Sequence, residues 1–268
     1  GGYYAAGTRP AALIDELKRG DWKDVLTLFD PVRDFTGLIS GTKIEKLLRD
    51  AFGDRRFEDL ETPLTVVATD ILRGETVPIS DGSLVTGLRA TISVPGIFKP
   101  VLHGGRYLVD GGVVDPLPVD IARAEGATHV IAVDVSVHAA AFYHHVKTRR
   151  AIRQKEKKAQ RDKLISRIID VPAVPERLKA AVKERLGSQR EVEIVPSMLD
   201  IIFQTIYIME SEIVRAKLVE SPADLVIRPR IDTVSATDFE RAEEIVRVGE
   251  AAAIAAMPHV RKIVGGER

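Results

Sequence analysis

Two short runs without a single Asp, Glu, Lys or Arg constrain the fold of this chain more than any other feature: Leu64-Thr65-Val66-Val67-Ala68-Thr69 and His129-Val130-Ile131-Ala132-Val133. Both are rich in β-branched residues, and each is followed within one position by an aspartate, Asp70 and Asp134. The first reads as a buried strand, because a half-solvated strand would alternate polar and apolar residues, and the second as a strongly apolar strand. Between them, Pro118 to Ala124 carries a helical pattern closed by Gly126. Strand, crossover helix and strand in that order predict a βαβ unit, a parallel or mixed sheet, and the α/β class.

Further elements follow from local signals. Thr8 and Pro10 open a short helix running to about Lys18, and Thr42 with Glu45 forms a capping box ahead of a helix stopped by Gly53. Glu75 to Ser80 reads as a strand ended by the hairpin-type pair Asp81-Gly82. Ile97 to Leu102 and Arg106 to Val109 flank His103-Gly104-Gly105, a second tight hairpin. The rest is mostly helical: Lys147 to Ile169, Pro175 to Leu186 and Met198 to Leu218, then a strand at Asp224 to Arg228. Thr237 with Glu240 opens a last helix through Ala256, and no repeat of fixed period is present.

Composition excludes several classes. The 268 residues contain no cysteine, which removes disulfide scaffolds, thiol nucleophiles and thiolate metal sites. Lys and Arg total 39, as do Asp and Glu, so the chain lacks the basic surplus of a dedicated nucleic-acid binder. Ile201 to Met209, the most apolar uncharged run, is far shorter than the roughly 20 residues of a bilayer span. One segment breaks the balance: Lys147 to Lys163 holds nine basic residues against Glu156 and Asp162. It reads as a solvated helical insertion or as a contact for an anionic surface, and its lack of aromatics favours lipid over single-stranded nucleic acid.

The tightest cluster with chemical potential is Tyr107-Leu108-Val109-Asp110-Gly111-Gly112-Val113-Val114-Asp115-Pro116-Leu117-Pro118. An acid at the end of an apolar strand, followed by two glycines, stands where open α/β sheets collect ligands. By pattern alone Asp110 fits a turn-forming role more readily than a catalytic one, and Asp115 before Pro116 fits a turn or cap more readily still. Asp70 and Asp134 also end strands, where such residues commonly cap the next turn. His103-Gly104-Gly105 shares its pattern with esterase oxyanion loops but sits where a hairpin turn belongs. The remaining histidines (His129, His138, His144, His145, His259) have no metal-ligand spacing. No Gly-x-Gly-x-x-Gly, phosphate-cradling or Gly-x-Ser-x-Gly motif occurs.

Read together, several segments resemble a patatin-like phospholipase of the bacterial and neuropathy-target-esterase type. They are Gly2-Tyr3-Tyr4-Ala5-Ala6-Gly7, Leu38-Ile39-Ser40-Gly41, Val67-Ala68-Thr69-Asp70, Arg89 through Val101 with its Ser-x-Pro-Gly-x-Phe-x-Pro core, and Val109 through Val114. Leu117-Pro118-Val119, His129 through Val135 and Ala223 through Pro229 continue the likeness. The resemblance implies a three-layer α/β/α fold with a mixed, mainly parallel sheet and a helical C-terminal half. It also implies a serine acyl-ester hydrolase with a Ser–Asp dyad and no cofactor or metal. Asp110 would be the dyad acid, with Gly111 and Gly112 shaping its turn.

In that family the Gly-Tyr-Tyr-Ala-Ala-Gly stretch follows the nucleophile elbow, whereas here it opens the chain. The elbow, the Gly-rich oxyanion loop and the strand between them are therefore expected upstream of Gly1, and this chain alone is expected to be inactive. Residues 1–268 are expected to form one patatin-like domain, truncated at its N-terminus, with a basic helical insertion at about 137–196. The strands Leu64–Thr69 and His129–Asp134 are expected in one sheet beside an apolar groove. The implied setting is cytoplasmic, with phospholipid or related lipid-ester substrates, peripheral contact with anionic membrane through Lys147–Lys163, and no specific nucleic-acid partner. The alternatives are a catalytically silent relative and a membrane-surface or RNA adaptor using the basic helix.

Overall fold

The computed structural model describes residues 1–19, 30, 39–136, 156, 159–160, 163, 166, 175, 177, 198–231 and 241–265. The expected helices Lys147–Ile169 and Pro175–Leu186, the basic segment they carry and the Thr237 capping box lie almost entirely outside these residues. The chain divides into two compact units, Gly1–His138 with Ile206–Arg268, and Ala139–Thr205. In the second, the continuous described stretch is the first part of a helix that begins at Met198.

The first unit opens with α1 (Gly2–Ala5), α2 (Pro10–Arg19) and α3 (Thr42–Phe52). The signal that predicted α3 is real, but its agent is different. Thr42 lies inside the helix, and Gly41 at φ 80° occupies the cap position. The carboxylate of Asp30, distant in sequence, accepts from the N–H groups of Gly41 (3.0 Å), Thr42 (2.8 Å) and Lys43 (3.3 Å) and from the Ser40 hydroxyl. An anion on the free amides of a helix N-terminus serves as a cap whatever its place in the chain.

Strands β1 (Val66–Asp70) and β2 (Glu75–Ile79) are joined by the turn Ile71–Gly74. The pair Asp81-Gly82 is thus not a strand–strand hairpin: it leads to Ser83, whose hydroxyl caps α4 (Leu84–Thr91). This helix carried no strong period in the sequence. Strands β3 (Val101–His103) and β4 (Arg106–Asp110) form the expected hairpin, with Gly104 (φ 56°) and Gly105 (φ 75°) in the left-handed region that the tight turn demands. Then come α5 (Val119–Ala124), β5 (Ile131–Val133), α6 (Met198–Glu220), β6 (Leu225–Ile227) and α7 (Ala242–Gly265). Helix α7 runs past the expected Ala256 end and accommodates Pro258.

The class is α/β, but the strands are distributed differently from expectation. Among the described residues, β1 and β5 lie in two sheets: a four-stranded sheet of order β2-β1-β4-β3 and a two-stranded β5-β6 sheet. All pairings in the larger sheet are antiparallel, because short turns such as Ile71–Gly74 and Gly104-Gly105 can only reverse the chain. Parallel pairing, expected to dominate, is found between β5 and β6, which a long helical crossover separates, and at the Ile39–Phe98 bridge.

Each sheet has its own core. Leu48 and Phe52 of α3, Leu84, Val85 and Ala90 of α4, and Val66, Ala68, Ile79 and Leu108 of the larger sheet form one buried cluster. Leu117, Val119, Val130, Ala132 and Val214 join α5, β5 and α6 in the other. The site described next opens between these two cores.

Candidate active site

A cavity of about 440 Å³ is lined by Val66, Val67 and Thr91 on one side and by Leu117, Pro118, Val135 and Val214 on the other. Into it face Asp110, Gly111, Gly112, Asp115, Asp134, Ser136 and Glu210. The expected groove therefore exists, although the two strands beside it belong to different sheets.

Asp110 is held by its backbone on both sides. Its Cα pairs with Ala68 across the β1–β4 ladder, and its N–H donates to the Ser93 carbonyl at 2.9 Å. Ser93 is itself fixed by Arg89, whose Nη1 donates to the Ser93 hydroxyl at 2.6 Å and whose Nη2 donates to the Ser40 carbonyl at 3.0 Å. Arg89 is buried and lies over the Phe98 ring at 5.1 Å, so it ties the Ser40 loop to the loop that joins α4 and β3.

After Asp110 the chain turns through the short 3-10 helix Gly111–Val113, which the Asp110 carboxylate caps by accepting from the Gly112 N–H at 2.8 Å. Both glycines have steric reasons. A Cβ on Gly111 would lie 2.4 Å from the Val67 carbonyl oxygen, which already accepts from the Thr91 hydroxyl at 2.6 Å. A Cβ on Gly112 would lie 2.8 Å from Glu210 Oε1 and 3.2 Å from Asp110 Oδ1.

The four strand-end and turn aspartates considered in the sequence now separate. Asp70 is fully buried but closes the β1–β2 turn, accepting from the amides of Leu72 (3.0 Å) and Arg73 (3.3 Å) and from the Arg73 guanidinium (2.7 Å). The Arg73 hydrogen bond holds it below the usual carboxylate range. Asp134 accepts from the Ser136 hydroxyl (2.5 Å) and amide (3.1 Å) and from Arg228 Nε (3.0 Å). Burial pushes its pKa up, but Ser136 and Arg228 outweigh that, leaving a weak base. Ser136 and Asp134 are thus a local turn with a cation behind it.

Asp115 shares Lys217 with Asp120, at 3.4 and 2.8 Å, and its other oxygen is buried with no hydrogen-bond partner among the described residues. Burial, then the Asp120 charge, raises its pKa against the pull of Lys217. Asp110 differs from all three: among the described residues it has no cationic partner, and burial raises its pKa against the single hydrogen bond from Gly112. His103 closes the β3–β4 hairpin and is not among the residues lining the cavity. Among the described residues no cluster of three His, Asp or Glu side chains forms a metal-ligand set.

Sequence reading missed Glu210 and gave Arg89 and Ser93 no role. Glu210 follows the apolar run of α6, but it shares a helical stripe with buried Val214 and with Lys217, at spacings of four and seven. A charged residue on the stripe that faces a core is the signal that would have found it.

Comparison with known proteins agrees with this construction. Residues 1–123 match the family described as patatin-like phospholipase. An uncharacterized NTE family protein of Mycobacterium tuberculosis is 30% identical over 291 residues, covering 96% of this chain and 81% of its own length, as is its counterpart in Mycobacterium bovis. Human patatin-like phospholipase domain-containing protein 6 is 34% identical over 136 residues, 48% of this chain and 10% of that protein. Mouse patatin-like phospholipase domain-containing protein 7 is 38% identical over 111 residues, 41% of this chain and 8% of that protein. With the Asp-Gly-Gly turn at a strand end and a near full-length match to NTE family relatives, the chain belongs to the patatin-like phospholipase family.

Proposed function

We propose that this chain contributes the acidic half of a Ser–Asp acyl-ester hydrolase acting on phospholipids, lysophospholipids or related lipid esters, with Asp110 as the proton acceptor. The observation that carries this reading is the contrast among the strand-end and turn aspartates: Asp70, Asp115 and Asp134 each engage a cation, whereas Asp110 lines the cavity, desolvated and with no cation beside it among the described residues. A carboxylate kept from full neutralisation retains enough basicity to take a hydroxyl proton.

In the proposed reaction Asp110 accepts the proton of a serine hydroxyl while the serine oxygen bonds to the ester carbonyl carbon and the carbonyl electrons move onto oxygen. Collapse of that oxyanion breaks the ester C–O bond, and the departing alcohol takes the proton from Asp110. Water then repeats the sequence on the acyl-enzyme, releasing the fatty acid.

The serine is read as coming from a Gly-x-Ser-x-Gly elbow joined ahead of Gly1, since no serine of the 268 residues has that context. A Cβ on Gly1 would lie 3.6 Å from Leu64 Cδ1, and Thr65, the next residue along the chain from Leu64, lines the cavity, which supports an elbow joined on that side. The membrane reading rests on the apolar residues of α6 left exposed, among them Ile201, Ile208 and Met209. No helix among the described residues is long and apolar enough to cross a bilayer.

The test compares two chains on p-nitrophenyl and lysophospholipid esters. The 268-residue chain should match a heat-denatured control, and a chain extended by the elbow should hydrolyse. In the extended chain Asp110→Asn should lower kcat/KM by at least about 10³-fold, as loss of one member of a catalytic unit does. Asp115→Asn should cost far less. An active Asp110→Asn variant, or a more damaged Asp115→Asn variant, overturns the assignment.

A further inference from the structure

We propose that Glu210 is a positioning residue for Asp110: its carboxyl stands across Gly112 from Asp110 in the same cavity, and release of the proton from Glu210 makes Asp110 the stronger base. This rests on the reading of Asp110 as proton acceptor and adds a second residue to the same site.

The geometry has three parts. Helix α6 delivers Glu210 into the cavity that Asp110 faces, and Oε1 of Glu210 and Oδ1 of Asp110 flank the one point that the absent Cβ of Gly112 leaves free, at 2.8 and 3.2 Å. Any larger residue at position 112 would force them apart.

No cation among the described residues separates or neutralises the two. Lys217, farther along α6, is held by Asp115 and Asp120, Arg228 is held by Asp134, and Arg215 pairs with Glu212. Among the described residues, the titratable groups facing the space are Asp110 at the end of β4, Asp115 before α5, Asp134 after β5 and Glu210 on α6, and all of them are acids. A second negative charge in this half-buried space is costly, so one proton stays until the solution is near neutral. Burial, and then the Asp110 charge, accordingly push Glu210 up to about 7.

Of the two, Asp110 alone accepts a backbone amide hydrogen bond among the described residues, so it carries the charge while Glu210 keeps the proton. When Glu210 ionises, its charge raises the proton affinity of Asp110 and favours transfer from the serine hydroxyl.

Carboxyl ¹³C NMR titration of the 268-residue chain tests the coupling directly and needs no activity. Glu210 should show a midpoint near 7, which falls in Asp110→Asn, and the Asp110 carboxyl signal should show a second inflection near 7 that is lost in Glu210→Gln. Glu210→Gln mimics the protonated side chain in size and shape, and Asp110→Asn reads the same coupling from the other side should one variant misfold.

In the elbow-extended chain, kcat/KM should rise through pH 7, and Glu210→Gln should remove that rise. The loss should be about three- to tenfold at pH 8.5 and under about twofold at pH 5.5. A structural role alone would shift activity equally at both pH values. A Glu210 midpoint that ignores Asp110→Asn, or an Asp110 inflection near 7 that survives Glu210→Gln, overturns this inference and leaves the hydrolase reading standing. Coupled midpoints with a fully active Asp110→Asn variant overturn the hydrolase reading and the catalytic role of the pair with it.

Discussion

Asp110 and Asp134 end strands of different sheets and face one cavity, yet their surroundings give them opposite properties. Asp134 accepts from Ser136 and Arg228 and is pinned as an anion. Asp110 accepts one amide hydrogen bond and meets another acid, Glu210, where Asp134 meets a base. The same residue type at the same topological position is a turn anchor in one sheet and a poised base in the other. What decides is the second element packed against each turn: β6 leads into Arg228, whereas α6 presents Glu210.

Substitutions can sharpen or erase this contrast. The largest effect on folding is expected at Gly111, where an added methyl meets the Val67 carbonyl at 2.4 Å, a backbone atom that cannot swing aside. Gly111→Ala should lower unfolding free energy by about 3 kcal/mol, read from urea midpoints. Gly112→Ala should cost much less, because the atom in its way is the end of a flexible glutamate side chain, and it should lower the Glu210 midpoint by moving that carboxylate.

Next in size, Asp134→Asn should destabilise by about 1–2 kcal/mol, since the Asn amide keeps one acceptor oxygen for two donors on different carboxylate oxygens and offers Arg228 no charge. It should leave hydrolysis by the extended chain within about threefold. Asp110→Asn should do the reverse, leaving the thermal midpoint near that of the parent while hydrolysis falls. If the two variants behave alike, the distinction drawn between the turns is wrong.

A smaller effect separates the pair by pH. Folded Glu210 releases its proton near 7 and an unfolded glutamate near 4.5, so the folded state binds more protons between those values. Stability from this group is therefore full below 4.5 and declines as pH rises through 7. Glu210→Gln should stabilise the chain by about 1 kcal/mol at pH 8, after allowance for solvent screening of a part-exposed group, and by nothing at pH 4. Asp134 has the opposite sign: its contribution is present at neutral pH and fades on acidification through its lowered pKa. Arg228→Gln should remove part of it, by at most about 1 kcal/mol, because Arg228 is largely exposed.

Much of this architecture was legible in the residues, and the failures have physical causes. The run Val66–Thr69 had to be a buried strand, Gly104-Gly105 had to turn, and Asp-Gly-Gly had to end a strand with an acid over two small residues. Helix α4 escaped notice because its eight residues offer barely two turns of pattern and a glycine in the middle. Gly87 is there because a Cβ would strike the Phe57 ring at 2.6 Å. Glu210 escaped because a charged residue after an apolar run reads as a helix boundary until the packing of Val214 shows which side faces inward.

Local chemistry, readable along the chain, settled the α/β class, the hairpin turns and the placing of Asp110 at a strand end, because these depend on neighbours within a few residues. Three matters belonged to the tertiary structure: the division of the strands into two sheets, the capping of α3 by Asp30, and the choice of Arg228 or Glu210 as neighbour to an otherwise equivalent aspartate. Each pairs groups far apart in sequence, and the free energy of a carboxylate is set by whatever charge and solvent surround it in space, which no local pattern encodes.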